Sequence, residues 1–208
     1  MKKNRRNQIL LYVVAGLMFL SSFAATSYAL GRPLLGGKLH GFVLESPQPL
    51  PNFTLNTHTG EEMSLYDFRG KVTLVYFGYA FCPDICPTTL ADLKAAKEML
   101  WDHHQDDVQV LMVTVDPERA TPELLETYLG YFDPSFIGLS GTPEQIATAA
   151  APLGIYYEKR EVGGATGYLY DHTASVAVID KKGRLRLVYP YNTPAEDIAA
   201  DLWTLVRE

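Results

Sequence analysis

Val72–Tyr79 and Val108–Val115 are nearly continuous apolar runs, rich in β-branched residues and far too short to cross a bilayer. They predict two strands buried on both faces. After the first run, Leu90, Leu93 and Leu100 recur at helical spacing with Lys94 and Lys97 between them, predicting a helix over Leu90–Leu100. After the second, Thr121-Pro122 supplies an N-cap and a proline in the first helical turn. Thr142-Pro143-Glu144-Gln145 repeats that signal and adds the glutamine of a capping box, with the helix ending before Pro152. Phe136–Leu139 and Ile155–Val162 are strand-like, and Gly163-Gly164 breaks the latter. Ala174–Ile179 and Arg184–Tyr189 flank Asp180-Lys181-Lys182-Gly183 and predict a hairpin. Thr193 is expected to cap a last helix with Ile198, Leu202 and Leu205 on its apolar side. Asn52–Leu55 and Met63–Leu65, around a turn at Thr59-Gly60, predict an N-terminal edge hairpin.

Strand, helix, strand, helix, then hairpin and helix is the order of an α/β, thioredoxin-like fold, a central mixed sheet flanked by helices. A βαβ crossover makes Val72–Tyr79 and Val108–Val115 parallel. If Ala174–Ile179 runs antiparallel beside Val72–Tyr79, its start meets the other strand's end. His172, just ahead of that strand, then falls beside the segment Phe81–Thr89, and Asp116 ends a parallel strand on the same rim. Ligands of open α/β sheets gather along that rim.

The N-terminus changes the picture of where this domain works. Met1–Arg6 holds four cations and no acid, Ile9–Leu20 is apolar, and the chain stays uncharged to Leu30. Residues 1–30 therefore read as a membrane anchor or a signal sequence, cleavable after Ser27-Tyr28-Ala29 and long enough to span if retained. The cations stay inside and the remainder is exported, either anchored on the outer (periplasmic or extracytoplasmic) face or secreted if residues 1–29 are removed. Residues 31–50, rich in Gly, Pro and Leu, read as a tether, and 51–208 as one domain. Beyond Leu30 lie all 24 acidic residues but only 14 of the 18 basic ones, a formal charge of −10. That balance speaks against nucleic acid as a partner.

The only two cysteines, Cys82 and Cys86, sit four apart between the first buried strand and its helix. If the helix begins near Cys82, that spacing puts both sulfurs on one helical face. Backbone N–H groups at a helix start favour thiolate, the form that attacks disulfides and binds soft metals. The stretch could be a dithiol, a structural disulfide or two arms of a metal site. With His172 it forms a soft three-ligand set suited to Cu(I), and to Cu(II) with an added ligand. Zinc in a structural site wants a fourth protein ligand. His40, His58, His103 and His104 are expected to be solvated, the last two beside a polar loop over Asp102–Asp107. Asp84 and Asp116 are candidate outer partners of the site, or simply a helix cap and a strand end. Tyr79 and Phe81 are expected to wall it.

Three elements then carry a resemblance: Gly78-Tyr79-Ala80-Phe81-Cys82-Pro83-Asp84-Ile85-Cys86-Pro87-Thr88-Thr89-Leu90, Val113-Thr114-Val115-Asp116-Pro117-Glu118-Arg119, and Tyr170-Asp171-His172-Thr173-Ala174. Together they resemble the Sco/SenC family from about Pro51 to the C-terminus. The resemblance implies a thioredoxin-like copper chaperone with Cys82, Cys86 and His172 as copper ligands, assembling the dinuclear copper centre of cytochrome c oxidase subunit II. The family often follows its D-P-x-R element with an acid, where this chain has Ala120. The implied partners are subunit II, a thioredoxin-like reductant for the cysteine pair, a copper donor of unknown identity, and the membrane through the N-terminal segment. The same dithiol could reduce the cysteines of subunit II instead of, or before, donating metal, so thiol–disulfide reductase activity stays open although a true enzyme is not the first expectation. The competing reading is an exported thiol–disulfide oxidoreductase without a metal role. Against it, three residues rather than two separate the cysteines, and His172-Thr173 stands where such enzymes carry a proline.

Overall fold

The computed structural model describes residues 39–164 and 167–208. The expected anchor or signal, 1–30, and residues 31–38 of the expected tether lie outside the described residues. The folded unit spans Leu39–Glu208. Among the described residues, no helix is long and apolar enough to cross a membrane.

Among the described residues, ten strands and five α-helices follow one another. β1 (Phe42–Val43), β2 (Thr54–Thr57) and β3 (Glu62–Ser64) lead through a 3-10 turn (Leu65–Phe68) to β4 (Val72–Gly78) and α1 (Ile85–Glu98). A short α2 (Asp102–Gln105), where a polar loop was expected, precedes β5 (Val108–Thr114). Then come α3 (Pro122–Gly130), β6 (Ile137–Ser140), α4 (Pro143–Ala150), β7 (Tyr157–Gly163), β8 (Gly167–His172), β9 (Val176–Ile179), β10 (Leu185–Tyr189) and α5 (Ala195–Leu205). Eight strands form a mixed sheet in the order β1-β10-β9-β4-β5-β6-β2-β3, while β7 and β8 pair as a separate hairpin.

β4 and β5 sit at the centre because their sequences can be covered on both faces, and every residue of both is buried. They run parallel, Val72 beside Val108 through Gly78 beside Thr114. β9 runs antiparallel on the other side of β4, with Val176 opposite Tyr76. Each fully covered Leu or Phe in these strands contributes about 2 kcal/mol of burial free energy, and Leu74, Phe77 and Leu111 are among them. α1 and α5 pack against each other beside the sheet. The capping signals of α3 and α4 act as expected: Thr121 accepts from the Leu124 N–H, and Thr142 and Gln145 close a reciprocal box. Thr193 does not cap α5: the helix begins at Ala195, which puts Pro194 at the N-cap, and the Thr193 hydroxyl donates to the Pro190 carbonyl. The β9–β10 hairpin turns at Gly183, φ +78°, a left-handed conformation that glycine adopts without a Cβ clash.

Two departures from the expected pattern concern the site. Part of the stretch read as a tether is laid on the sheet, with Phe42 and Val43 paired to β10 and Leu50 buried. Strand β8 was not anticipated, and His172 is its last residue rather than a linker before β9. Tyr157 pairs with His172 across the β7–β8 hairpin.

Candidate metal centre

The helix begins at Ile85, so Cys82 lies in the loop before it and only Cys86 is in the first turn. Pro83 explains the difference: the residue preceding a proline is steered away from helical backbone, and that residue is Cys82. Pro87 is tolerated because first-turn N–H groups have no intrahelical acceptor. The loop folds back so that the Cys86 N–H donates to the Cys82 Sγ at 3.4 Å. Cys86 is fully buried, and Cys82 is half-exposed. Both are free thiols.

His172 closes the site. Its Nε2 lies 3.4 Å from the Cys86 Sγ, and its Nδ1 lies 3.2 Å from the Thr173 carbonyl oxygen. A carbonyl can only accept, so Nδ1 donates to it and Nε2 is the ring nitrogen that faces the sulfurs. The ring is held edge-on between Tyr76 and Tyr79, at centroid distances of 6.0 and 5.9 Å. The two sulfurs and an imidazole nitrogen all lie within 4.8 Å of one another. Donors each about 2.3 Å from one ion can be about 4.6 Å apart, so the set fits a soft metal ion with little movement. Beside it opens a cleft of about 310 Å³ whose lining includes Tyr79, Cys82, Pro83, Asp84, Arg160 and His172.

The thiols are electrostatically unlike. The Cys86 thiol donating to it, with help from His172 and the backbone N–H groups of Asp84 and Cys86, draws Cys82 down to about 3 against the opposing effect of burial. Cys86 is pushed well up, first by the Cys82 sulfur beside it and then by its own burial. In the reduced pair the proton therefore stays on the buried sulfur while the half-exposed one is thiolate. That is an arrangement for nucleophilic attack by Cys82, or for metal capture with loss of the Cys86 proton.

Asp116 is buried, and its carboxylate is engaged by other side chains. It accepts from Arg119 Nε at 2.5 Å and from the Tyr168 hydroxyl at 3.0 Å. The Arg119 guanidinium also covers the rings of Tyr168, at 3.8 Å, and Phe81, at 4.6 Å. This clasp joins the end of β5, the cysteine loop and the hairpin that carries His172. Lys159 reinforces it by lying over Tyr168 and pairing with Glu118. Asp84 occupies the N-cap position of α1 without a side-chain capping bond and borders the cleft. Tyr79 walls the site, whereas Phe81 is 46 % exposed under Arg119. Arg119, Tyr168 and Tyr76 were not singled out from the sequence as site residues. The one signal was positional, Arg119 following Asp116 by three.

Of the four other histidines expected to be solvated, His40 and His103 are exposed and His58 and His104 half-buried, and each nonetheless has partners. His40 Nδ1 meets the Asp201 carboxylate at 2.8 Å. His58 Nδ1 accepts from the Gly138 N–H. His104 pairs with Asp107, and His103 stacks between Trp101 and His104.

A family model described as SCO1/SenC matches residues 45–207. The human "Protein SCO1 homolog, mitochondrial" is 32 % identical over 179 residues, which are 86 % of this chain and 55 % of that protein. The chain thus spans little more than half the length of that curated relative. The solution structure of apo Sco1 from Thermus thermophilus aligns with a TM-score of 0.72 at 44 % identity, covering 81 % of this chain and 99 % of the other. The copper-bound structure of ScoI from Bradyrhizobium japonicum aligns with a TM-score of 0.69 at 34 % identity, covering 76 % and 99 %. These likenesses make the fold thioredoxin-like, as the order of elements implied.

Proposed function

Because the chain belongs to the SCO1/SenC family, we propose that it is a copper chaperone whose cargo, Cu(I) or Cu(II), is held by Cys82, Cys86 and His172. Its client is the dinuclear copper site of cytochrome c oxidase subunit II, to which it delivers metal, or whose cysteines it reduces, or both. The observation that carries this reading is the meeting of two sulfurs and one imidazole nitrogen within 4.8 Å, from segments 86 residues apart. Residues 1–30 would hold the domain at the outer face of a membrane. Asp84 and Asp116 would act around the ligands, Asp84 at the cleft and Asp116 through the Arg119 clasp.

The chemistry follows from the unlike sulfurs. Capture needs both as thiolates, so metal displaces the proton held on Cys86. Three protein donors leave room for an incoming ligand from the client, so the cargo passes by ligand exchange, with the accessible Cys82 released first. Oxidation of the pair to a disulfide withdraws both sulfur donors, which makes loading depend on a reductant.

Reduction of the client has its own support in the low-lying Cys82 thiolate. Cys82 would attack one sulfur of a client disulfide, forming a mixed disulfide and releasing the first client thiolate. Cys86, losing its proton, would then attack the Cys82 sulfur and release the second client thiolate. The client gains two electrons, the pair becomes a disulfide, and a thioredoxin-like partner must restore it.

The test uses the reduced full chain. It should bind one equivalent of copper, and His172→Ala should weaken that binding sharply while both thiols still react with an alkylating agent. Copper binding by His172→Ala at wild-type strength would refute the three-ligand site. Fast, metal-free reduction of a disulfide-bonded client peptide, unchanged by His172→Ala, would favour the oxidoreductase instead.

A further inference from the structure

Tyr76 stands one turn of the pleat below Gly78 on the same side of β4 and is fully buried. A Cβ placed on Gly78 would meet the Tyr76 ring at 2.7 Å and the Cys86 Sγ at 3.1 Å. The missing side chain is therefore the space in which that ring edge and that sulfur approach each other. The same ring stands edge-on to His172, so it touches the surroundings of both inner donors. Its hydroxyl is buried and makes no hydrogen bond of ordinary length among the described residues, while the Cys86 sulfur and the Thr89 hydroxyl stand near enough to act on it. Thr89, the nearby hydroxyl, donates its proton to the Ile85 carbonyl at 2.9 Å and makes no hydrogen bond of ordinary length to the phenol. Burial first, and the Cys86 sulfur second, push the Tyr76 phenol far above its ordinary range. A buried donor without an acceptor is costly and rare, and needs a reason.

We propose that Tyr76 is a positioning residue: its O–H donates to the Cys86 Sγ once that sulfur becomes a thiolate ligand. The inference rests on the copper reading above and assigns the two sulfurs different duties. Cys86, buried and braced by the phenol, stays with the metal. Cys82, half-exposed at the cleft, is the one exchanged. A hydrogen bond to a thiolate withdraws charge from the sulfur, which stabilises the more negative, Cu(I)-loaded state over the Cu(II) state and raises the energy needed to move an electron from sulfur to Cu(II).

Tyr76→Phe tests this, because it removes only the hydroxyl. In the reduced full chain it should weaken Cu(I) binding about ten- to a hundredfold in competition with a chromophoric chelator. In the Cu(II) form it should move the sulfur-to-copper charge-transfer band to longer wavelength. Tyr128→Phe removes another buried, unpartnered hydroxyl and should change neither quantity. Wild-type affinity and an unmoved band in Tyr76→Phe would overturn the proposal. A loss of affinity with an unmoved band would overturn it too, since packing alone produces that result. The series is repeated with Cd(II), which binds dithiolates whatever the physiological cargo. A chain that takes Cd(II) and refuses copper would sink the copper reading. The shift of the sulfur-to-cadmium band in Tyr76→Phe would still decide the role of the phenol.

Discussion

His172 and His40 are both brought to a helix from a distant segment, yet their neighbours leave them opposite chemistry. His172 spends its Nδ1 on a backbone carbonyl, and aromatic edges occupy its flanks. Its Nε2 is left facing two sulfurs. His40 meets carboxylates with both nitrogens, Asp201 at 2.8 Å and Asp197 at 3.6 Å. Asp201 in turn is buried and accepts from the backbone N–H groups of His40 and Gly41 and from the Tyr189 hydroxyl. One histidine keeps a ring nitrogen turned toward two sulfurs. The other is consumed in fastening residues 40 and 41 to α5. Residue type alone does not distinguish a ligand from a fastening; the hardness and charge of the neighbours do.

The comparison breaks most visibly if the two histidines are exchanged as targets. His172→Ala should lower copper affinity on the order of a thousandfold, about 4 kcal/mol, while His40→Ala leaves it unchanged by chelator competition. Equal losses in the two variants would erase the distinction. Asp201→Ala strands a histidine, a backbone N–H pair and a buried phenol, so it should cost about 3 kcal/mol of unfolding free energy. The denaturant midpoint should drop while the folded protein still binds one equivalent of copper. Tyr168→Phe removes one bond to buried Asp116 from the clasp that seats the His172 hairpin. It should cost about 1 kcal/mol, and copper should leave the variant a few-fold faster than it leaves the wild type.

The smallest effect is a pH dependence. The Asp201 carboxylate raises the His40 pKa in the folded chain, against a partly opposing desolvation. Folding therefore favours the protonated ring. Its contribution is complete below the unfolded pKa, near 6.5, and is lost as pH rises through the higher folded value. The side chain is 43 % exposed, so screening keeps the contribution under about 1 kcal/mol. The urea midpoint of wild type should exceed that of His40→Gln at pH 6 and approach it at pH 8 or above. A gap that widens over that range would contradict the assignment.

Much of the frame was legible along the chain because the central strands are buried on both faces and write that fact as unbroken apolar runs. The edge hairpin, the two threonine caps, the β9–β10 turn and the antiparallel placement of β9 beside β4 were all readable for similar local reasons. Strand β8 was not, since Gly167–His172 is only partly covered and lies outside the main sheet, where neither alternation nor continuity marks it. β1 was hidden in a Gly- and Pro-rich stretch because two paired residues carry no period. The loop position of Cys82 turned on Pro83, a local rule outweighed by the attraction of a four-residue helical spacing.

Composition and order established, without coordinates, that two sulfurs lie where a buried strand hands over to a helix and that one histidine precedes the strand returning beside it. Those are properties of neighbouring residues and of how strands must connect, and they survive translation into sequence. The protonation of one sulfur and not the other, the phenol beneath Cys86, the Asp116–Arg119–Tyr168 clasp and the capture of His40 by Asp201 belong to the folded state alone. Each depends on burial and on distances between side chains from separate elements, 161 positions apart in the case of His40 and Asp201. No pattern in a linear chain records such distances.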